Sequence, residues 1–210
     1  MIINANDRNN YENRFWVNLI NSLSGFKSAN LIGTLSKDGV TNLAIFNSVI
    51  HIGANPPLMG FIMRPVNVDR HTYKNIKETG SFTINHINKN IFRQAHQTSA
   101  RYNEDVSEFN ACGFTHIFSE SISAPYVKES NIKIGLEFEE EDEIKSNKTI
   151  LIVGRILEII LPNEIMAEDG FIDIEKAGTV AISGLDSYYE TKRIARLSYA
   201  KPFKDLQEIK

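Results

Sequence analysis

The segment Arg64–Ile76, RPVNVDRHTYKNI, gathers hydrogen-bond donors between two apolar runs. A strand-like run, Leu58-Met59-Gly60-Phe61-Ile62-Met63, ends just before Arg64, and the spacing predicts a short helix over Thr72–Thr79 stopped by Gly80. Free N–H groups at such a helix start point back toward the strand end, and the helix dipole favours an anion there. Thr72 is placed to cap this helix, with Asn75 three residues on. Arg64 adds a permanently charged fork, and Arg70 or His71 a further donor. A phosphate group suits that setting. The same residues also suit an ordinary cap at Thr72 and an Arg64 that reaches solvent, and no GxGxxG or P-loop pattern adds weight.

A second constellation is Asn30 on one predicted strand and Asn47-Ser48 on the next. Amides and hydroxyls inside apolar strand runs need partners when buried, and could there grip the polar edge of a planar heterocycle; facing water they need none. The histidines, His51, His71, His86, His96 and His116, show no HxxxH or HExxH spacing and no partner cysteines, so no metal-ligand set is named. No GxSxG elbow offers a serine nucleophile. Carboxylates are plentiful, but their richest cluster, Glu139–Glu143, reads as surface, and no side chain is named as catalytic. The residues favour binding a flat, phosphorylated cofactor over hydrolytic chemistry.

Several strands must position these groups. Residues 11–24 place Tyr11, Phe15, Trp16, Leu19, Ile20 and Leu23 at helical spacing, which predicts an amphipathic helix packed on the body. Runs at Ala29–Ser36 and Val40–Ile50 flank Asp38-Gly39, a strong hairpin signal. Further strands are predicted at Leu58–Met63, Ser81–His86, Asn131–Phe138 and Thr149–Ile160, with helical patches at Ile91–Ala100 and Val106–Ala111. The run Glu139–Glu143 reads as a solvated hairpin end, and the tail from Glu164 as irregular. Hairpin-linked strands with peripheral helices predict a mainly β protein, a closed or nearly closed barrel with its ligand at the rim or a subunit contact. The expected organisation is a single domain over 1–210: an N-terminal helix (1–24), a barrel core (25–162) and a C-terminal extension (163–210).

Composition is that of an ordinary globular chain: 210 residues, 42% apolar and 23% charged, with a formal net charge of -3. No block of lysines and arginines would draw a nucleic acid or an anionic membrane. A single cysteine, Cys112, excludes an internal disulfide and has no cationic neighbour to prime it. The polar N-terminus lacks signal-peptide order, and the apolar stretch Thr149–Leu161 is too short and too charged to span a bilayer, so the chain reads as cytoplasmic.

Longer motifs add a resemblance. Asn47-Ser48-Val49, Asn55-Pro56-Pro57-Leu58-Met59 and HTYKNIKETGSFTIN (residues 71–85) are followed by Ser123-Ala124-Pro125-Tyr126-Val127-Lys128-Glu129-Ser130 and by Ile152-Val153-Gly154-Arg155-Ile156. In this order, over roughly residues 25 to 162, they resemble the flavin reductase-like proteins with an FMN-binding split β-barrel. The resemblance implies a homodimer holding FMN noncovalently at the subunit contact, with electrons passing from NADH, NADPH or a protein donor to an acceptor. Asn47 and Ser48 would border the isoalloxazine, and Arg64, His71 and Thr72 would address the phosphate. Asn30 joins them from its strand position alone. Many nicotinamide-dependent members share a Gly-Asp-His before the late glycine-centred strand, whereas this chain has Ser146-Asn147-Lys148-Thr149. A flavin-binding electron carrier without turnover is therefore the rival expectation, and a barrel for another phosphorylated ligand a second. The stretch Gly184–Tyr189 is expected either to cover the flavin or to pack at a dimer contact.

Overall fold

The computed structural model describes residues 1–209. Its helices are α1 (Asn13–Ser22), α2 (His71–Thr79), α3 (Phe92–Gln97) and α4 (Glu108–Ala111). The strands begin with β1 (Lys27–Ser28), β2 (Asn30–Leu35), β3 (Thr41–Phe46), β4 (Ile50–Ala54), β5 (Pro57–Met63) and β6 (Ser81–His86). They continue with β7 (His116–Ile117), β8 (Tyr126–Val127), β9 (Lys133–Ile144), β10 (Thr149–Ile160), β11 (Val180–Ser183) and β12 (Ser187–Glu190). The Asp38-Gly39 turn joins β2 to β3 as the residue types require, with Gly39 at φ 82°.

Seven strands form one antiparallel sheet in the order β3-β2-β6-β9-β10-β5-β4. The sheet curls so that β3 comes round toward β5: Phe46 at the end of β3 lies 4.8 Å, ring to ring, from Phe61 on β5, and Phe61 lies 5.7 Å from Phe82 on β6. Just before β4 a side chain extends the β4–β5 ladder beyond its Ile50–Gly60 pair. Ser48 Oγ accepts from Ile62 N and donates to Ile62 O, both at 3.1 Å, which mimics a ladder rung where no strand pairs. The fold is a mainly β split barrel. Its interior is the buried cluster of Ile32, Phe61, Phe82, Ile84, Leu136 and Ile152 with their neighbours. A Cβ at Gly154 would lie 2.5 Å from Phe82 Cζ, so that strand centre must be glycine for the ring to fit. A second core, around Leu31, Leu43, Ala95, Phe109, Val127 and Val180, packs α3, α4 and β11 on the outside of β2 and β3.

Four local expectations differ from what forms. The predicted second strand, Val40–Ile50, divides at Asn47-Ser48-Val49 into β3 and β4, because Ser48 turns to bind β5. Glu139–Glu143 lies within β9, opposite Ile150–Val153, and not at a hairpin end. Its charges stay exposed, and Arg155 (to Glu139, 2.6 Å) and Lys77 (to Glu141, 3.3 Å) offset the repulsion. The tail is not wholly irregular: β11 and β12 form a hairpin that pairs with β1. Finally, α1 buries no residue against its own chain, and Phe15, Val17, Ile20 and Leu23 are exposed. Among the described residues no helix is long and apolar enough to cross a membrane.

Candidate functional site

A cleft of about 910 Å³ opens beside the free edge of β3. One wall is β3 with the Asn47-Ser48 link and the end of β5 through Arg64. The floor is the loop leading into α2, with His71 and Thr72. The opposite wall is the segment from His96 on α3 to Glu104, and the β11–β12 turn contributes Leu185 and Asp186. Asn47, Ser48, Arg64, His71 and Thr72, all singled out from sequence, line this one space.

Their local roles differ from the simplest reading. The helix α2 begins one residue earlier than expected, at His71, with Arg70 at the cap position and no side chain capping it. Thr72 lies inside the first turn, buried, and its hydroxyl accepts from Asn42 Nδ2 at 3.1 Å instead of capping. Asn42 Nδ2 also donates to Thr34 Oγ1 at 3.1 Å, and Asn75 Nδ2 to the same oxygen at 3.1 Å. These buried bonds lock α2 against β2 and β3 and leave the first-turn N–H groups of α2 free of side-chain caps. Asn47 Nδ2 donates to Gly184 O at 3.0 Å, which ties the β3 end to the β11–β12 turn.

Asn30 is set apart. It is buried at the Phe46 end of β2, does not line the cleft, and donates from Nδ2 to Ser28 Oγ at 3.0 Å, while its Oδ1 has no partner among the described residues.

Strand alternation opens a polar edge on the cleft. Thr41, Leu43 and Ile45 turn their N–H and C=O groups away from β2, since the ladder bonds fall on the residues between them. Leu43 N–H donates to Glu108 Oε2 at 3.0 Å, and the Thr41 and Ser107 hydroxyls meet at 2.6 Å. Ile45, next along this edge, lines the cleft, and among the described residues no loop hydrogen-bonds its backbone there. Burial raises the Glu108 carboxyl above its usual range, and the Leu43 bond opposes that shift.

Charges of both signs line the cleft, with Arg64, Arg70 and Arg101 alongside Asp69, Glu104, Glu108 and Asp186. The three arginines share this lining; burial lowers the Arg70 pKa, and the nearby charges of Arg64 and Arg101 lower it further. Arg101 comes from the segment after α3, which carried only a helical-patch expectation; its signal, an arginine following Thr98-Ser99-Ala100, is weak. At the far end His96 Nδ1 lies 3.0 Å from the Tyr188 hydroxyl, whose pKa burial and the Asp186 charge push up to about 12, so that it stays protonated. Sequence reasoning missed His96, Arg101 and the edge of β3 at Ile45, whereas Leu185 and Asp186 fall in the stretch Gly184–Tyr189, expected either to cover a flavin or to pack at a dimer contact.

The residues Ser146-Asn147-Lys148-Thr149 form the β9–β10 turn, where Asn147 Oδ1 accepts from Thr149 N at 3.1 Å and from its hydroxyl at 2.8 Å. None of them lines the cleft.

A model of the flavin reductase-like domain matches residues 23–177. The chain belongs to the flavin reductase-like family. Membership sets its function in flavin-linked redox chemistry. Among solved structures, a Shewanella frigidimarina protein described as a candidate flavin reductase with split barrel domain is 50% identical, with TM-score 0.91 over 95% of this chain and 100% of that one. Component B of nitrilotriacetate monooxygenase from Bacillus cereus, 23% identical, shares the fold with TM-score 0.80 over 92% and 96% of the two chains. The flavoredoxin of Desulfovibrio vulgaris, 24% identical, shares it with TM-score 0.71 over 85% and 92%.

Proposed function

We propose that this flavin reductase-like protein is an FMN-dependent oxidoreductase, a homodimer that takes electrons from NADH or NADPH and passes them to a small-molecule acceptor. One observation carries the reading: three arginines, an uncapped helix start and an open strand edge share a single cleft of suitable size. A ligand with one phosphate and one flat, hydrogen-bonding ring uses both ends, which favours FMN over an unphosphorylated flavin.

The residues present fit that group. Arg64, Arg70 and Arg101 would meet the phosphate as charge-assisted donors, with His71 and the free N–H groups of α2. Thr72 positions that helix start through Asn42 rather than holding the ligand alone. The backbone of Ile45 and the free Oδ1 of Asn47 would pair with the polar ring edge, and Ser48 fixes their backbone by its double bond to Ile62. Asn30 would support this edge from behind, paired across β2 and β3 with Phe46. When bound, FMN supplies the two-electron chemistry. The chain binds, orients and excludes water, with Ile62, Met63 and Leu185 as apolar lining, and we assign no catalytic side chain.

The dimer is supported by the outer face of the sheet. Phe61, Met63, Ile150 and Ile152 point into the barrel, so Ile62 and Leu151 point out, beside the exposed Ile50 and Ile52. Ile62 also lines the cleft, which makes this apolar face continuous with the site.

The electron-carrier reading keeps one observation in its favour, a β9–β10 turn without histidine and away from the cleft. Anaerobic mixing of the yellow protein with NADH or NADPH separates the two. Rapid bleaching is expected; bleaching by dithionite alone would establish the carrier, and a purified protein with no flavin absorbance that also fails to bind added FMN would remove both.

A further inference from the structure

The last segment of the chain folds into an arm that has no body to rest on. After β12 the chain is pinned at one place: Arg193 pairs with Asp173 at 3.1 Å and Arg196 with Asp169 at 2.6 Å, and both guanidiniums lie over the Phe171 ring. Beyond that root the chain forms a hairpin of its own, with Ser198 N donating to Gln207 O at 2.8 Å and Ile209 N to Arg196 O at 2.9 Å. Its side chains do not turn inward. Ile194 is 101% exposed, Tyr199 88% and Phe203 107%, with Leu197, Leu206 and Ile209 also exposed.

Holding such a hairpin in one shape costs conformational entropy that its few backbone bonds do not repay, so its apolar face needs cover. With a large side chain presenting about 150–250 Å² when fully exposed, these six residues offer on the order of 800 Å². That is about the area each partner contributes to a standard stable interface.

We infer that the arm, rooted on its own protomer at Arg193 and Arg196 and running on to residue 209, reaches across and clasps a second copy of this chain. The inference rests on the homodimer proposed above and assigns the element that fastens it. A second copy is the occupant that the molecule itself favours. The chain carries two other uncovered apolar surfaces, the α1 strip of Phe15, Val17, Ile20 and Leu23 and the β4 edge of Ile50 and Ile52. An arm exchanged reciprocally about a two-fold axis covers both copies at once and closes the assembly.

The test places a photoreactive benzoyl-phenylalanine at Phe203 in the full-length, flavin-loaded protein. Sedimentation of the unmodified protein is measured in parallel. The expected result is a dimer in sedimentation and, on irradiation, a covalent species of twice the 23.8 kDa chain mass. Peptide mapping should then join residue 203 to the body of the other copy. A dimer that yields only single-chain products, or links within one chain, overturns the arm and leaves the homodimer standing. A monomer in sedimentation overturns the homodimer and the arm with it. As a second measure, Tyr199→Ser with Phe203→Ser should raise the dimer dissociation constant at least about tenfold, the effect of losing aromatic anchors. An unchanged constant with unchanged circular dichroism also refutes the inference.

Discussion

Arg70→Ala tests the phosphate corner most directly, because the structure predicts opposite effects on stability and on binding. Arg70 is half-buried, its nearest bond is a marginal 3.4 Å contact from Nε to Pro65 O, and Arg64 and Arg101 repel it. Removing it relieves that repulsion and gives up little, so the flavin-free protein should unfold within about 0.5 kcal/mol of the parent, or later. Toward an anion the sign reverses. A charge-assisted bond contributes about 1.5–3 kcal/mol, which corresponds to a rise in the FMN dissociation constant of roughly 10- to 150-fold. The assay is quenching of flavin fluorescence as deflavinated protein is titrated, at low salt and at high salt. Riboflavin, which has the same ring and no phosphate, is the internal control, and its affinity should not change. The FMN loss should shrink as salt screens the exposed part of the corner. Equal losses for FMN and riboflavin, or no loss for either, would refute the placement of the phosphate.

Two further outcomes follow from buried groups. Burial holds the His86 pKa near 4, below its ordinary 6.5, so the folded state resists protonation and the unfolded state does not. Stability is then full above pH 6.5 and falls as pH drops toward 4, by up to about 3 kcal/mol, and His86→Gln should flatten urea midpoints across that window. Asn42→Ala removes the donor shared by Thr34 and Thr72, which should cost about 1–3 kcal/mol in denaturant unfolding and weaken FMN binding by loosening the start of α2.

Much of the barrel was legible because its signals are local. The Asp38-Gly39 turn, the stop at Gly80, which takes a left-handed φ of 69°, and the apolar runs of β2, β5, β6 and β10 each depend on a few adjacent residues. That Arg64, His71 and Thr72 share one cleft was legible for the same reason, being a strand end and a helix start joined by one loop. What those groups do was less legible. Thr72 looks like a cap in sequence, yet its hydroxyl answers Asn42, thirty residues away. The acidic run of β9 looks like a turn when its own charges are counted. It is a strand because β10 offers a ladder along its length and Arg155 and Lys77 answer the charge.

The sequence by itself determined the split-barrel elements and one corner of the cleft, since hydrophobic period, turn chemistry and helix starts act between near neighbours. Only the tertiary structure brought Arg101 and His96 to that corner's cleft, opened the Ile45 edge, left Asn30 behind it, and showed α1 and the final arm uncovered. Those outcomes depend on which distant surfaces meet, and no local propensity encodes a meeting of that kind.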